Sequence, residues 1–415
     1  MEDIEEKQEE GKPTKKINTE DIEKAVEIAK EIIEKKAAGD PSIKQMMSIV
    51  HKFIQKQPVI CYGCTAINNI LPKEKQFYNP DIDIPDYDFF SETPQEHCIQ
   101  LCKKLKKAGL QNIEAKPGLH LGTFKVFCEF IGVADISAIN KDLFRKLWSE
   151  SIVKDKIHYS PPNFLRMNVY LELSRPMGDV SRWVKVYKRL ELLNSEYPIE
   201  CPSLYGSIFE ESLVPKIKQK IEDLLIKEKV ILLGFNGSLL QEEKQSWKLP
   251  LDLLVEEANV TKLTKQLIEI FGKGIVKSRS YEEYAEILPA HTDIVEGNVL
   301  FVRIYETMAC HSYHELKSGL HIASIPTLLN FFFGMLYADK EFLQHTTRQR
   351  IICTAQRLIQ MAKDSSKRKF KLLTPITCLG KQKELLDMRK ERNELYEKTK
   401  SNKTLFRKYF FSYKP

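Results

Sequence analysis

The sequence predicts an α/β (α+β) fold: two successive mixed-sheet units, with helices ahead of the first and a helical, basic tail after the second. Three observations lead there. Short apolar runs alternate with amphipathic stretches between residues 59 and 193, the pattern of strands alternating with helices. A glycine turn followed by an acidic, apolar run occurs near Gly63 and is echoed near Gly234. With 415 residues, 42% of them hydrophobic, the chain is long enough to bury more than one core.

Residues 1–17 are rich in Glu and Lys and show no apolar period, so 1–20 are set apart as a disordered N-terminus. Ile22, Ala25, Val26, Ala29, Ile32 and Ile33 recur at helical spacing and predict a helix over 21–36; a second is expected over 42–55. The apolar run 59–62 reads as a short strand that stops at Gly63. A strand over 86–90 and a helix over 93–108 follow. One long strand is expected over 124–136. Leu165, Met167, Val169, Leu171 and Leu173 alternate as on one face of a strand. Residues 180–193 read as a basic amphipathic helix. From Lys229 the pattern restarts, with strands at 230–233, 249–255 and 299–305, an apolar helical stretch at 322–335, and basic helices to the end. Pro198 and Pro202 place the junction within 197–205. The units are therefore 21–198 and 199–415.

The net charge is +7. Residues 363–415 hold 16 Lys or Arg against 6 Asp or Glu, a balance of +10, so the rest is slightly acidic. Such a tail attracts polyanions, or is simply a solvated helical face. No apolar run reaches the roughly 18–20 residues a membrane span needs, and the charged start is no secretory signal. Nine scattered cysteines are expected as free thiols in a reducing, intracellular compartment.

The chemistry concentrates in Tyr62-Gly63-Cys64-Thr65-Ala66 and Ile84-Pro85-Asp86-Tyr87-Asp88-Phe89-Phe90. On a strand, Asp86 and Asp88 share a face while Tyr87 and Phe89 enter the core, which puts the carboxylates about 6–7 Å apart at the backbone. Two unpaired carboxylates repel, and a divalent cation such as Mg²⁺ relieves that repulsion. Asp135, at the end of the next long strand, is the third carboxylate a two-metal site needs. A glycine turn opening a helix lets backbone N–H groups approach phosphate, which assigns that role to Gly63 and Cys64 and adds the Thr65 hydroxyl as a donor. Asp81 and Asp83 form a second acid-x-acid pair, but they precede Pro85 and are placed in the approach loop.

These residues resemble the polymerase-β-like nucleotidyltransferase superfamily, whose signature is a glycine turn, an Asp-x-Asp strand and a later third Asp. More narrowly, residues 62–68, 84–91, 122–137, 165–190 and 307–339 resemble the poly(A) polymerase catalytic subunits of giant and other large cytoplasmic DNA viruses. The likeness covers nearly all of the chain after about residue 20. Position 64 is Cys where the superfamily usually has Gly or Ser, which leaves a backbone contact there. The resemblance implies tandem nucleotidyltransferase-like domains and AMP transfer from ATP to RNA 3′ ends. It implies two Mg²⁺ or Mn²⁺ ions on Asp86, Asp88 and Asp135, one activating the RNA 3′-hydroxyl and the other holding the triphosphate. Its partners would be ATP and mRNA, with a second copy or a processivity subunit left open, and its setting the host cytoplasm or virion. In the second unit, Leu254 stands two after Asp252, so that acidic pair is incomplete and no metal chemistry is expected there.

Other readings compete. Cys61, Cys64, Cys98 and Cys102 would make a zinc set, but a structural metal at the glycine turn would obstruct phosphate. His291, His311, His314 and His321 with Cys310 read as satisfied core or surface residues. Arg182, Lys185 and Arg189 recur on one helical face as phosphate or RNA contacts, or as a solvated basic face. The tail aromatics Phe406, Tyr409, Phe410, Phe411 and Tyr413 would stack on bases or pack. A uridylyl- or oligoadenylate-forming transferase shares the motif, and a non-catalytic RNA-binding subunit would be favoured only if one aspartate were missing.

Overall fold

A computed structural model describes residues 18–79, 81–201, 212–242, 244, 247–339, 343 and 345–415. Residues 1–17 and 202–205, on which the disorder and part of the junction were expected, lie outside the described residues. Residues 18–20 are not irregular: Asn18 caps a helix through a reciprocal capping box with Asp21.

Two sheets organise the chain. After α1 (Thr19–Gly39) and α2 (Pro41–Ile54) comes the first sheet with its helices: β1 (Ile60–Cys61), α3 (Gly63–Ile70), β2 (Asp88–Ser91), α4 (Pro94–Lys107), β3 (Glu114–Pro117), β4 (Thr123–Cys128), β5 (Ile131–Ala138), α5 (Lys141–Glu150), β6 (Ile152–Lys154) and β7 (Ile157–Tyr159). Its seven strands run in the order β3-β4-β5-β2-β1-β7-β6. Next come α6 (Pro162–Leu173) and α7 (Trp183–Glu196), then α8 (Pro215–Lys227), β8 (Ile231–Leu232), α9 (Gly234–Gln241), β9 (Leu251–Val255), α10 (Glu257–Phe271), β10 (Lys277–Tyr281), β11 (His291–Glu296), β12 (Val299–Glu306), β13 (His311–Glu315), β14 (His321–Ala323), α11 (Ile325–Met335), α12 (Arg348–Lys363), β15 (Cys378–Leu379), α13 (Leu385–Thr399) and α14 (Lys403–Phe410). The second sheet runs β10-β11-β12-β9-β8-β14-β13-β15. Strand for strand it repeats the first, with β15 added at one edge.

Four expectations change. Residues 165–173 are helical, not a strand. Pro161 and Pro162 start α6, which buries Phe164, Leu165, Met167, Val169, Tyr170 and Leu173. A helix buried on most sides loses its polar face, so an alternating subset of apolar residues is no longer diagnostic. Its cover is α11, through a ring pair of Tyr170 with Phe333 and the amide of Asn330 donating to the Met167 carbonyl at 3.2 Å. The strand expected over 124–136 is a hairpin, β4 and β5. Its turn residues Glu129 and Phe130 sit at φ 50° and 65°, a geometry usually announced by Asn-Gly, which is absent from this turn. The apolar stretch at 322–335 splits into β14 and α11. Finally, four cysteines are paired, Cys201 with Cys353 and Cys310 with Cys378, across 152 and 68 residues of sequence. Only tertiary proximity creates those pairs, so scattered positions gave no sign of them. Cys61, Cys64, Cys98, Cys102 and Cys128 are free.

His291, His311, His314 and His321 are buried, but they are not all satisfied: neither ring nitrogen of His311, nor Nδ1 of His321, has a hydrogen-bond partner among the described residues. Among the described residues no helix is long and apolar enough to cross a membrane. The basic tail packs back on the first sheet. Tyr413 and Ala115 exchange both backbone hydrogen bonds, at 2.8 and 3.0 Å, and Phe411 meets Phe124 edge-on.

Candidate active site

The corner between β1 and α3 is built around two aspartates. Gly63 takes φ +72°, and a Cβ there would stand 2.9 Å from Oδ2 of Asp88. Only glycine meets both conditions without strain. The Tyr62 N–H donates to the Asp88 carbonyl at 3.0 Å, and the Thr65 hydroxyl donates to the Asp86 carbonyl at 2.6 Å. Thr65 is buried and lines the same cavity as Gly63 and Cys64; here its proton steadies the Asp86 backbone. Asp86 lies in the extended approach to β2, and Asp88 is the first residue of the strand.

Parallel pairing of β2 with β5 sets Asp88 directly across from Asp135. On the far side of β5, the β4 register sets Lys125 across from Asp135, and the lysine Nζ reaches Oδ2 of Asp135 at 2.6 Å. The Asp88 carboxyl is pushed up to about 7, first by burial and then by Asp86 and Asp135, against partial relief from Lys125 and Arg182. Asp86 is raised as well, by burial and then by Asp135. Among the described residues no three acidic, histidine or cysteine side chains already stand as a closed metal-holding set, and Asp135 leans on Lys125. Three carboxylates that repel one another and share one ammonium nonetheless have the donor chemistry of a hard divalent cation. Lys125 escapes a reading of the sequence because taking 124–136 as one strand hides a cross-strand neighbour.

Gly63, Cys64, Asp86 and Asp88 line a cavity of about 1120 Å³, together with Arg182 and Lys185. Arg182 pairs with Glu172 at 3.1 Å. Arg189 is buried, with its guanidinium over the rings of Phe77 at 4.6 Å and Tyr78 at 5.2 Å. Two further contributors lie outside the predicted set of site residues. Arg175 lines the cavity, and its Nε has no hydrogen-bond partner. Burial lowers its pKa to about 10. The segment from Gln382 to Leu385, with Met388, lines it too. It arrives from about 200 residues downstream, which no local pattern signals. Asp81 and Asp83 are outside the lining; the Asn79 N–H donates to Asp83 at 2.8 Å in a turn.

The second sheet carries a charge-exchanged copy of this corner. Gly234 takes φ +59°, and a Cβ there would strike the Asp252 carboxylate. The Leu233 N–H donates to the Asp252 carbonyl at 2.8 Å, as Tyr62 does to Asp88. Asp252 is therefore the counterpart of Asp88, the second acid of the pair. The missing partner is Pro250, two residues before, and not Leu254, which corrects the alignment read from sequence. Arg303 lies across from Asp252 on the parallel strand, where Asp135 lies in the first sheet. Asp293 lies across from Arg303, where Lys125 lies. Arg303 holds Asp293 through Nε and Nη2, each at 2.8 Å. Burial raises Asp252 to about 6, opposed by Arg303. An internal guanidinium thus stands across from Asp252 at the position where the first sheet sets the carboxylate of Asp135 across from Asp88.

Residues 48–179 match a protein-family profile described as Poly(A) polymerase catalytic subunit. A protein of Acanthamoeba polyphaga mimivirus, provisionally named a poly(A) polymerase catalytic subunit, is 26% identical over 199 residues, covering 46% of this chain and 32% of that protein. A counterpart from African swine fever virus with the same provisional name is 28% identical over 174 residues, covering 40% of this chain and 36% of its own. The chain thus spans about a third of the length of these curated relatives. The crystal structure of the Megavirus polyadenylate synthase superposes with a TM-score of 0.76 at 20% identity, over 99% of this chain and 88% of that one. That match shows a shared fold.

Proposed function

We propose that the chain is a template-independent poly(A) polymerase of a large DNA virus, transferring AMP from ATP to an RNA 3′ end. The similarity to viral poly(A) polymerase catalytic subunits over residues 48–179 supports the reaction class. The observation that carries the reading is the Gly63 turn packed on Asp88, with Asp135 across the ladder and Asp86 beside them. In the reaction the 3′-oxygen bonds to the α-phosphorus, the α–β phosphoanhydride bond breaks, pyrophosphate leaves, and the hydroxyl proton is lost. Asp86, Asp88 and Asp135 would hold two Mg²⁺ or Mn²⁺ ions, which when bound supply positive charge to the phosphates and the attacking oxygen. The backbone at Gly63 and Cys64 approaches phosphate, while Arg182 and Lys185 balance the charge of the triphosphate. Lys125 holds Asp135 in place in the free site.

We assign residues 21–198 to the catalytic unit and 199–415 to a degenerate, non-catalytic repeat. Host cytoplasm or virion follows as the setting. A short RNA primer incubated with Mg²⁺ or Mn²⁺ and each nucleoside triphosphate separately tests the reading. Extension with ATP alone is expected. Extension with UTP in preference, or none with any nucleotide, would overturn it.

A further inference from the structure

The stretch from Gln382 to Met388 belongs to neither repeated sheet, yet it lines the same cavity as Gly63, Asp86 and Asp88. It is pinned from both lobes. Ahead of it, β15 pairs antiparallel with β13, and Cys378 is bonded to Cys310. Behind it, Arg392 donates to the Gly118 carbonyl at 2.6 Å, and Gln95 donates to the Arg407 carbonyl at 2.7 Å.

What this wall offers a ligand follows from what its own contacts use up. Glu384 and Asp387 close a capping box at the start of α13, which satisfies backbone donors there. Lys381 pairs with Asp387 at 3.0 Å and Lys383 with Glu391 at 2.9 Å. The remainder is apolar, apart from one amide. Leu385 is 47% exposed although it faces a cavity. Met388 stands one turn on. The side-chain oxygen of Gln382 is buried without a hydrogen-bond partner, a cost that a bound donor would remove. An RNA backbone along this wall would bring phosphates against Glu384 and Asp387. A base whose phosphates are anchored elsewhere in the cavity, at Gly63, Arg182 and Lys185, meets no such repulsion.

We propose that Leu385 and Met388 form the base-binding wall for the incoming nucleoside triphosphate, and that Gln382 accepts a hydrogen bond from the amino group on the base. This deepens the polymerase reading and rests on it. Adenine and cytosine present an amino donor at that edge, whereas guanine and uracil present a carbonyl acceptor. The wall therefore selects ATP over GTP and UTP, and discriminates less against CTP.

Two binding measurements and one selectivity measurement test this. In Leu385→Ser/Met388→Ser, the Kd for Mg-ATP is expected to rise about tenfold through lost apolar contact. Binding of inorganic tripolyphosphate should be unchanged, and both side chains are accessible enough for the fold to persist. In Gln382→Ala, the ATP-to-GTP ratio of kcat/KM is expected to fall about tenfold or more. Gln382→Glu, which can only accept, should retain that preference. Weakened RNA primer binding with unchanged ATP binding would assign the wall to RNA and overturn the proposal. So would unchanged binding of ATP and RNA together with unchanged selectivity. Wild-type protein that binds ATP but extends no primer would sink the polymerase reading, while the comparison of ATP with tripolyphosphate still decides the wall.

Discussion

Gly63→Ala isolates the geometry of the glycine corner from the chemistry of its acids. The added Cβ would lie 2.9 Å from Oδ2 of Asp88, closer than packed atoms tolerate, so either the carboxylate or the turn must move. Reactive groups need positioning to about 0.5 Å, and a misplacement of about 1 Å is associated with roughly a hundredfold loss of rate. At φ +72° the backbone adds about 1–2 kcal/mol of left-handed strain. Gly109 supplies the control, because it takes φ +86° with nothing within 4 Å of the place an added methyl would occupy. Gly109→Ala should lose comparable stability, about 2–4 °C of Tm for each kcal/mol, and keep its activity. Gly63→Ala should lose that stability and about a hundredfold in primer-extension rate, approaching Asp88→Ala. Thermal melting and single-turnover extension on both variants separate the two effects. Equal activities in the two alanine variants would refute the claim that this glycine is there to make room for Asp88.

Four further outcomes are expected. The folded Asp88 pKa of about 7 lies above its ordinary 3.8, so the metal-free fold holds that proton more tightly than the unfolded chain and loses this stabilisation as pH rises toward 7. Asp88→Asn should therefore melt higher than wild type at about pH 8 in chelator, with the gap closing by about pH 4; a gap independent of pH would contradict the burial argument. Asp81→Asn with Asp83→Asn should leave extension within a few-fold of wild type, since both lie in the approach loop, and a collapse comparable with that of Asp86→Ala would show that the wrong acidic pair was chosen. In the second lobe, Asp252→Asn should leave extension within a few-fold, while Arg303→Met should cost about 3–5 kcal/mol by stranding Asp293, read by urea denaturation; abolished activity in well-folded Asp252→Asn would mean that the lobe supplies ligands. Replacing Lys367, Lys369 and Lys371 by Gln should flatten the slope of log RNA affinity against log salt by up to about 2, at roughly 0.7 per phosphate contact, and an unchanged slope would return the tail to a solvated surface.

The legible parts of this chain were those whose information is local. Gly63 and the Asp86-x-Asp88 pair each fit within a few residues, and their spacing implied a shared face. The position of Asp135 beside Asp88 needed only that its strand lie next to β2. Legibility failed where the environment decides. Helix α6 is buried on most sides, so Leu165, Met167 and Val169 passed for one face of a strand. Glu129 and Phe130 turn the hairpin without turn-forming side chains. Asp252 was set against the wrong member of the acidic pair because only hydrogen bonding, Leu233 to Asp252 as Tyr62 to Asp88, fixes the register. Arg175 lies inside the 165–190 segment that carries the family likeness, close before Arg182, whereas Gln382 reaches the cavity through tertiary packing and nothing near it in the sequence points there.

The bridge between Ala115 and Tyr413 has a consequence for biosynthesis. Strand β3 is the edge of the first sheet, and the partner that covers Ala115 is translated about 300 residues later. At ribosomal rates of about 5–20 residues per second, that edge stands bare for roughly 15–60 s. A nascent chain in that interval offers unpaired backbone groups to any neighbouring strand. Polysomes crowded with this product are thus where chaperone demand should peak, and a circular permutant that emits 403–415 ahead of β3 would shorten the exposure.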